Sequence, residues 1–94
     1  MIYHPLVKRD VSEALKYYAE ISPRLADEFE YEVRLIVSQA ASNPLRFHST
    51  ERGFRRANLR RFPYHVLYEA HENFIRVMHV RHNKRHPDYN IERK

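Results

Sequence analysis

The most informative segment of the chain is residues 59–89, which read LRRFPYHVLYEAHENFIRVMHVRHNKRHPDY. It contains two apolar runs rich in Tyr, Val, Ile and Phe, Tyr64–Ala70 and Phe74–Val80, separated by the polar break His71-Glu72-Asn73. Side chains of these types fit a pleated, half-buried surface, and a short polar break between two such runs favours a hairpin. The second run is apolar on both faces, which is typical of a central strand. We therefore predict a β-hairpin in the middle of a sheet.

Two amphipathic helices are predicted before this hairpin. The first opens at Asp10, where Glu13 follows at capping-box spacing, and it ends at Ser22-Pro23 because Pro disfavours helical backbone in the residue before it. The second uses Ser22 as its N-cap and Pro23 in its first turn, and it ends at Asn43-Pro44. Each helix carries one apolar stripe at helical spacing. The stripes comprise Val11, Ala14, Leu15, Tyr18 and Ile21 in the first helix and Leu25, Phe29, Val33, Ile36 and Ala40 in the second.

Two further strands complete the predicted sheet. Ile2–Val7 is an edge-strand candidate, because Pro5 lacks the N–H that a ladder needs. Leu45–Glu51 is predicted as a loop, and Phe54–Leu59 as the second strand, antiparallel to the first. The order β-α-α-β-β-β predicts one α+β domain over residues 1–94, with a helical hairpin on one face of a mostly antiparallel four-stranded sheet. The other face is expected to carry Arg and His with little to cover it. The predicted core comprises Leu15, Tyr18, Leu25, Phe29, Val33, Ile36, Val66, Tyr68, Val77 and Val80.

The charge distribution indicates an acidic partner. Lys and Arg outnumber Asp and Glu by 17 to 12, most of the acids lie at or before Glu51, and Arg52–Arg61 contains five Arg. A basic surface of this kind suits nucleic acid or an acidic protein segment, although a charge run can also do no more than solvate a strand face. No apolar run approaches the ~20 residues of a membrane span, and the N-terminus lacks the apolar region of a signal peptide. We therefore expect a cytoplasmic protein that does not contact a membrane.

Candidate chemistry is confined to one cationic cluster. The chain has seven His, but His79, His82 and His86 lack the spacing of metal-binding motifs and Cys is absent, so no metal site is predicted. With Gly53 as the single glycine, no glycine-rich loop can cradle a nucleotide phosphate, and we predict no cofactor. The start of one hairpin strand should meet the end of the other. The residues expected to lie close together there are Arg56, Arg60, Arg61, Arg81, His82, Lys84, Arg85 and Tyr89. Such guanidinium groups bind phosphate or an acidic protein segment, and a neighbouring His or Tyr could transfer a proton.

Three strings in the second half of the chain carry a family resemblance: LRRFPYHVLY at 59–68, IRVMHV at 75–80 and HNKRHP at 82–87. Together with the helical hairpin before them, they make the chain resemble the RelE/ParE superfamily of toxins from type II toxin–antitoxin systems, over nearly its whole length. Phe62-Pro63-Tyr64 and the Lys-Arg-His-Pro ending resemble the ParE branch. The resemblance implies the β-α-α-β-β-β fold, a role in plasmid stabilisation and growth inhibition, and a cognate antitoxin, for which the basic surface predicts an acidic contact segment.

The two branches of the superfamily differ in their targets. ParE-type toxins poison DNA gyrase, whereas RelE-type toxins are ribosome-dependent endoribonucleases that cut messenger RNA. Arg60 falls where RelE-type toxins carry one active-site Arg, and Tyr89 falls near their catalytic Tyr. Asn83 stands nearest to the second active-site Arg, with Arg81 and Arg85 on either side. This departure from the RelE pattern makes gyrase the first hypothesis and RNA cleavage the second.

The two hypotheses assign the cationic residues differently. If the protein is a ribonuclease, the predicted catalytic residues are Arg60, His82, Arg85 and Tyr89. The residues predicted to contact a partner or nucleic acid are Arg55, Arg56, Arg61, Arg81 and Lys84. A third hypothesis, from a different class, is a small basic binding module without toxicity.

Overall fold

The computed structural model describes residues 2–50 and 52–84. Its elements are β1 (Ile2–Tyr3), α1 (Val7–Ile21), α2 (Pro23–Ser42), β2 (His48–Ser49), β3 (Arg55–Asn58), β4 (Tyr64–Ala70) and β5 (Ile75–His82). The five strands form one sheet in the order β1-β5-β4-β3-β2. In the described ranges β1 and β5 pair in parallel and all other neighbours are antiparallel. The helical hairpin packs on one face, so the predicted α+β class is confirmed with one strand more than expected.

The additional strand, β2, changes two expectations. The sequence predicts a loop over Leu45–Glu51, whereas His48 and Ser49 pair with β3. β2 runs antiparallel to β1, which is the direction expected of the strand that follows the helical hairpin. The β2–β3 hairpin then reverses the chain, so the prediction that Phe54–Leu59 runs antiparallel to the first strand is wrong. A strand of two residues is too short to show the alternation on which the prediction depends.

The start of α1 differs from the prediction, and its end agrees. α1 begins at Val7, so Asp10 is not an N-cap and β1 is shorter than Ile2–Val7. The Asp10 carboxylate instead accepts a hydrogen bond from the backbone N–H of Val80 at 3.1 Å, which ties α1 to β5. Ser22 separates the helices as predicted, but its side chain makes no capping hydrogen bond. Neither α1 nor α2, the two helices of the described chain, is long and apolar enough to cross a membrane.

The core lies between the helices and the inner face of the sheet. Of the predicted core residues, Leu15 and Leu25 are partly buried against it, and all the others are buried. Its centre is a group of aromatic rings with centroids 5.0–6.1 Å apart. The rings belong to Tyr18, Phe29, Phe62 and Tyr64. Phe62 comes from the β3–β4 connection, so this connection contributes a side chain to the core although Arg60, Arg61 and Pro63 are exposed.

The outer face of the sheet is more buried than the sequence predicts. His65, Leu67, Met78 and His79 are each at most 1 % exposed. A β-bulge lets Val77 and Val80, which are three residues apart in β5, both face the core: Leu67 pairs with His79 and Tyr68 pairs with Val77, which leaves Met78 as the extra residue. The expectation of a poorly covered outer face is therefore wrong for the two central strands β4 and β5.

Candidate partner-binding site at the end of the sheet

The β3–β4 connection and the end of β5 form one surface, which we call the sheet end and define as residues 59–64 and 82–84. The Leu59 N–H donates to the Tyr64 carbonyl at 2.9 Å, and the Asn83 N–H donates to the Pro63 carbonyl at 2.8 Å. Tyr64 is also the register partner of His82. The structure therefore brings the connection and the end of β5 together, as the hairpin geometry predicts.

Two cations of the sheet end face solvent. Arg60 is exposed and, within the described residues, its side chain has no hydrogen bond or ion pair. The side chain of Lys84 is likewise exposed, and only its backbone N–H is engaged, as a donor to Nδ1 of His82 at 3.1 Å. Both charges are therefore available to an anionic group of a partner.

Arg61, the neighbour of Arg60, is held by two carboxylates of α2. Its Nη2 donates to Oε2 of Glu28 at 2.7 Å, and its backbone N–H donates to Oε1 of Glu32 at 3.0 Å. The bond from Arg61 holds the pKa of Glu28 below its ordinary value, with a smaller contribution from Arg24. The charge of Arg61 is thus already matched within the molecule.

The guanidinium groups of Arg55 and Arg56 also have internal partners. Arg55 donates to the carbonyl of Phe47 at 2.8 Å and fastens the segment after α2 to β3. Arg56 lies on the outer face, where Nε donates to Oδ1 of Asn58 at 3.0 Å and Nη2 donates to Oδ1 of Asn83 at 3.3 Å. Both side chains are half-buried. Their visible role is to connect segments of the sheet.

Asn83 joins three strands at the sheet end. Besides accepting from Arg56, its Oδ1 lies 2.8 Å from Nδ1 of His65, which is 1 % exposed. Because an amide oxygen only accepts hydrogen bonds, Nδ1 of His65 must carry the proton. Asn83, which the resemblance places nearest to the second active-site Arg of RelE-type toxins, therefore uses its amide oxygen for hydrogen bonds within the sheet.

Of the predicted catalytic residues, Arg60 and His82 both lie within the segments that form the sheet end. His82 is half-buried, its ring packs edge-on against Tyr64 with centroids 5.2 Å apart, and its Nδ1 accepts the Lys84 N–H. Arg81 is half-buried and pairs with His65 across the strands. Arg85 and Tyr89 lie outside the described residues. No three His, Asp or Glu side chains in the part that is described lie close enough together to hold a metal ion.

A second surface, which the sequence analysis does not identify, is a groove of about 550 Å³ between β1, α1 and α2. Its apolar lining comes from Tyr3, Pro5, Val7, Val11, Leu15 and Val33, and its polar lining comes from His4, Lys8, Ser12, Glu30 and Arg34. The recurrence of Val7, Val11 and Leu15 every four residues is the local signal. That signal alone does not separate a groove from a core stripe, because the other walls come from distant elements.

The groove and the sheet end lie on opposite flanks of α2. Glu30 and Arg34 line the groove, whereas Glu28 and Glu32 contact the β3–β4 connection. Positions two residues apart on a helix are rotated by about 200°, so these two pairs point away from each other. The protein thus presents an apolar groove and a cationic sheet end as separate surfaces.

Comparison with known proteins agrees with this architecture. "Toxin ParE2" from two strains of Mycobacterium tuberculosis (CDC 1551 / Oshkosh and ATCC 25618 / H37Rv) is 29% identical over 86 residues, covering 90% of this chain and 82% of each relative. A structure of the chromosomal ParDE TA system from P. aeruginosa superposes with a TM-score of 0.74 at 17% identity, covering 85% of this chain and 90% of that chain, and shows the shared fold. The model of the family "ParE toxin of type II toxin-antitoxin system, parDE" matches residues 1–87, and the chain belongs to that family.

Proposed function

We propose that this ParE-family toxin stops growth by binding and poisoning DNA gyrase. The resemblance to the ParE branch motivates gyrase as the target. The observation that carries the proposal is the sheet end, where Arg60 and Lys84 are exposed on a surface held by backbone hydrogen bonds. Fixed cations favour an acidic protein surface by electrostatic complementarity. Gyrase acts in the cytoplasm, so the proposal includes a cytoplasmic location.

The chemistry of the sheet end favours binding over RNA cleavage. Cleavage requires a group that takes the 2′-OH proton, a group that protonates the leaving oxygen, and a cation on the phosphate. Here one nitrogen of His82 is engaged by the Lys84 N–H, and Asn83 accepts hydrogen bonds where a second Arg would be needed. The cation is present, whereas His82, the proton-transfer candidate among the described residues, uses Nδ1 to accept a backbone hydrogen bond.

A ParDE-type system includes a cognate antitoxin, and we propose that this partner uses both surfaces. An amphipathic segment would lay its apolar face in the groove, where Val11, Leu15 and Val33 offer buried area. Acidic residues of the same segment would face Lys8 and Arg34 at the groove, and another part of the antitoxin would reach the sheet end on the opposite flank of α2. The apolar part of this contact is assigned to the groove because the central residues of the outer sheet face are already buried.

The test of gyrase inhibition uses purified toxin in a supercoiling assay that contains no ribosome. Wild-type toxin should inhibit supercoiling. Arg60→Glu combined with Lys84→Glu should raise the toxin concentration for half inhibition by about tenfold or more. Lys16→Glu, which reverses an exposed cation on α1, is the matched control and should behave as wild type. Growth arrest without inhibited supercoiling would contradict the proposal.

Two other variants, His82→Gln and Tyr89→Phe, distinguish the competing functions. A ribonuclease would leave cut messenger RNA in translating ribosomes, and His82→Gln and Tyr89→Phe would each abolish its toxicity. A gyrase inhibitor should tolerate both changes. A binding module without toxicity would not arrest growth when it is expressed alone.

A further inference from the structure

We infer that Glu28 and Glu32 are positioning residues, which hold the β3–β4 connection, Leu59–Pro63, so that Arg60 is presented to the target. The inference rests on the proposed function in so far as Arg60 contacts that target. The positioning itself is a property of the fold and can be measured without the target.

The connection is anchored on both sides of Arg60 and Arg61. Leu59 and Phe62 are each 6 % exposed, and the Phe62 ring lies 5.2 Å from that of Phe29 on α2. The backbone is closed by the Tyr64 N–H, which donates to the Phe62 carbonyl at 2.8 Å. Between these buried anchors the chain must turn outward, and Arg60 is exposed at the turn.

The two carboxylates bind the same residue at two different points. Glu32 accepts the Arg61 backbone N–H, and Glu28 accepts the Arg61 side chain. A backbone contact together with a side-chain contact fixes both the position and the rotation of this peptide segment. Since Arg60 shares a peptide bond with Arg61, these contacts restrict the rotation of its backbone. α2 therefore supplies the apolar anchor and the ionic anchor from one rigid element.

This arrangement differs from the ion pairs that lie within one helix in the described part of the chain. Arg9–Glu13 and Arg24–Glu28 join residues four apart within one helix and restrain nothing beyond it. The Arg61–Glu28 pair joins residues 33 positions apart in the sequence and ties the β3–β4 connection to α2. Exposed ion pairs contribute little to folding stability, so the main consequence of this pair is geometric. A cation that is held in place before binding loses less conformational freedom on binding.

The structural arm of the test measures amide hydrogen exchange at Arg61 by NMR in the full chain. Exchange should be slow in the wild type and faster in Glu32→Ala. Glu32→Gln keeps an acceptor oxygen and should retain most of the protection. Glu13→Gln, which breaks the exposed Arg9 pair on α1, is the matched control. Unchanged exchange at Arg61 in Glu32→Ala would overturn the inference.

The functional arm measures how strongly the double variant Glu28→Gln plus Glu32→Ala inhibits supercoiling. The double variant is made once in the wild-type chain, which has Arg60, and once in a chain that carries Arg60→Ala. With Arg60 present, the double variant should weaken inhibition by about three- to tenfold. With Arg60→Ala it should cause no further loss, because its effect passes through Arg60. An equal loss in both backgrounds, or no loss despite faster Arg61 exchange, would refute positioning. If the wild type fails to inhibit supercoiling, the proposed function fails, and the exchange arm alone decides whether the carboxylates hold the connection.

Discussion

Phe29→Ala is the substitution for which the structure predicts the largest loss of stability. Phe29 is 0 % exposed, and its ring centroid lies 5.0–5.2 Å from those of Tyr18, Phe62 and Tyr64. Truncating a buried Phe costs about 3–5 kcal/mol, and each lost aromatic contact adds about 0.5–1.5 kcal/mol to the loss expected from buried area alone. We therefore expect a loss near the upper end, about 4–5 kcal/mol. For a domain of this size that lowers the unfolding midpoint by roughly 20 °C or more.

The assay is equilibrium denaturation followed by circular dichroism. Tyr31→Ala is the control on the same helix, because Tyr31 is 69% exposed and its truncation should change the free energy of unfolding by less than about 0.5 kcal/mol. Phe29→Leu keeps much of the volume and should cost clearly less than Phe29→Ala, so it provides the measurement if the Ala variant does not fold. A loss below about 1 kcal/mol for Phe29→Ala would refute the assignment of the aromatic group as the centre of the core.

Three further predictions concern pH, a buried hydroxyl and the antitoxin. Because Arg61 lowers the pKa of Glu28, this carboxylate contributes stability above its unfolded pKa of about 4.5, and the contribution is lost as the pH falls through the folded pKa. The thermal unfolding midpoint of Glu28→Gln should therefore differ from that of the wild type at neutral pH, and the two midpoints should converge in acid. Tyr68→Phe removes the 2.6 Å hydrogen bond to the Pro44 carbonyl and should lower the free energy of unfolding in urea by about 1 kcal/mol, with no effect contradicting an internal role for this hydroxyl. Co-expression of the neighbouring open reading frame should restore growth, and toxicity that no neighbouring gene product relieves would contradict the antitoxin assignment. Calorimetry should show only a partial loss of antitoxin affinity as the salt concentration rises, because salt does not screen apolar burial.

The helical hairpin and the central strands were predictable because their signals are local. Phe29, Val33 and Ile36 recur at helical spacing, and Pro23 and Pro44 mark the ends of the helices. Each of these signals involves residues within about one turn of each other. Phe62 carries no such signal, since it stands beside two Arg and a Pro. It is buried only because α1 and α2 bring Tyr18 and Phe29 against it.

The candidate site also has features that local sequence patterns predict and features that depend on distant segments. Hairpin geometry alone predicted that the residues near Arg60 would meet the end of β5. The sequence did not reveal that adjacent Arg60 and Arg61 differ, one exposed and the other bound to α2. Nor did it reveal that Asn83 would accept hydrogen bonds from Arg56 and His65. Identical residue types in one basic run give identical local patterns, so nothing within the run distinguishes them.

The class of fold, the family and the end of the sheet at which the cations lie could thus be predicted from local patterns, because periodicity, turn residues and hairpin pairing depend on neighbours along the chain. Which cations are available and which are internal depends on remote partners, since Glu28 and Glu32 lie 33 and 29 residues from Arg61. A charge becomes structural or functional according to what is packed beside it, and that is set only when distant segments meet in the folded chain.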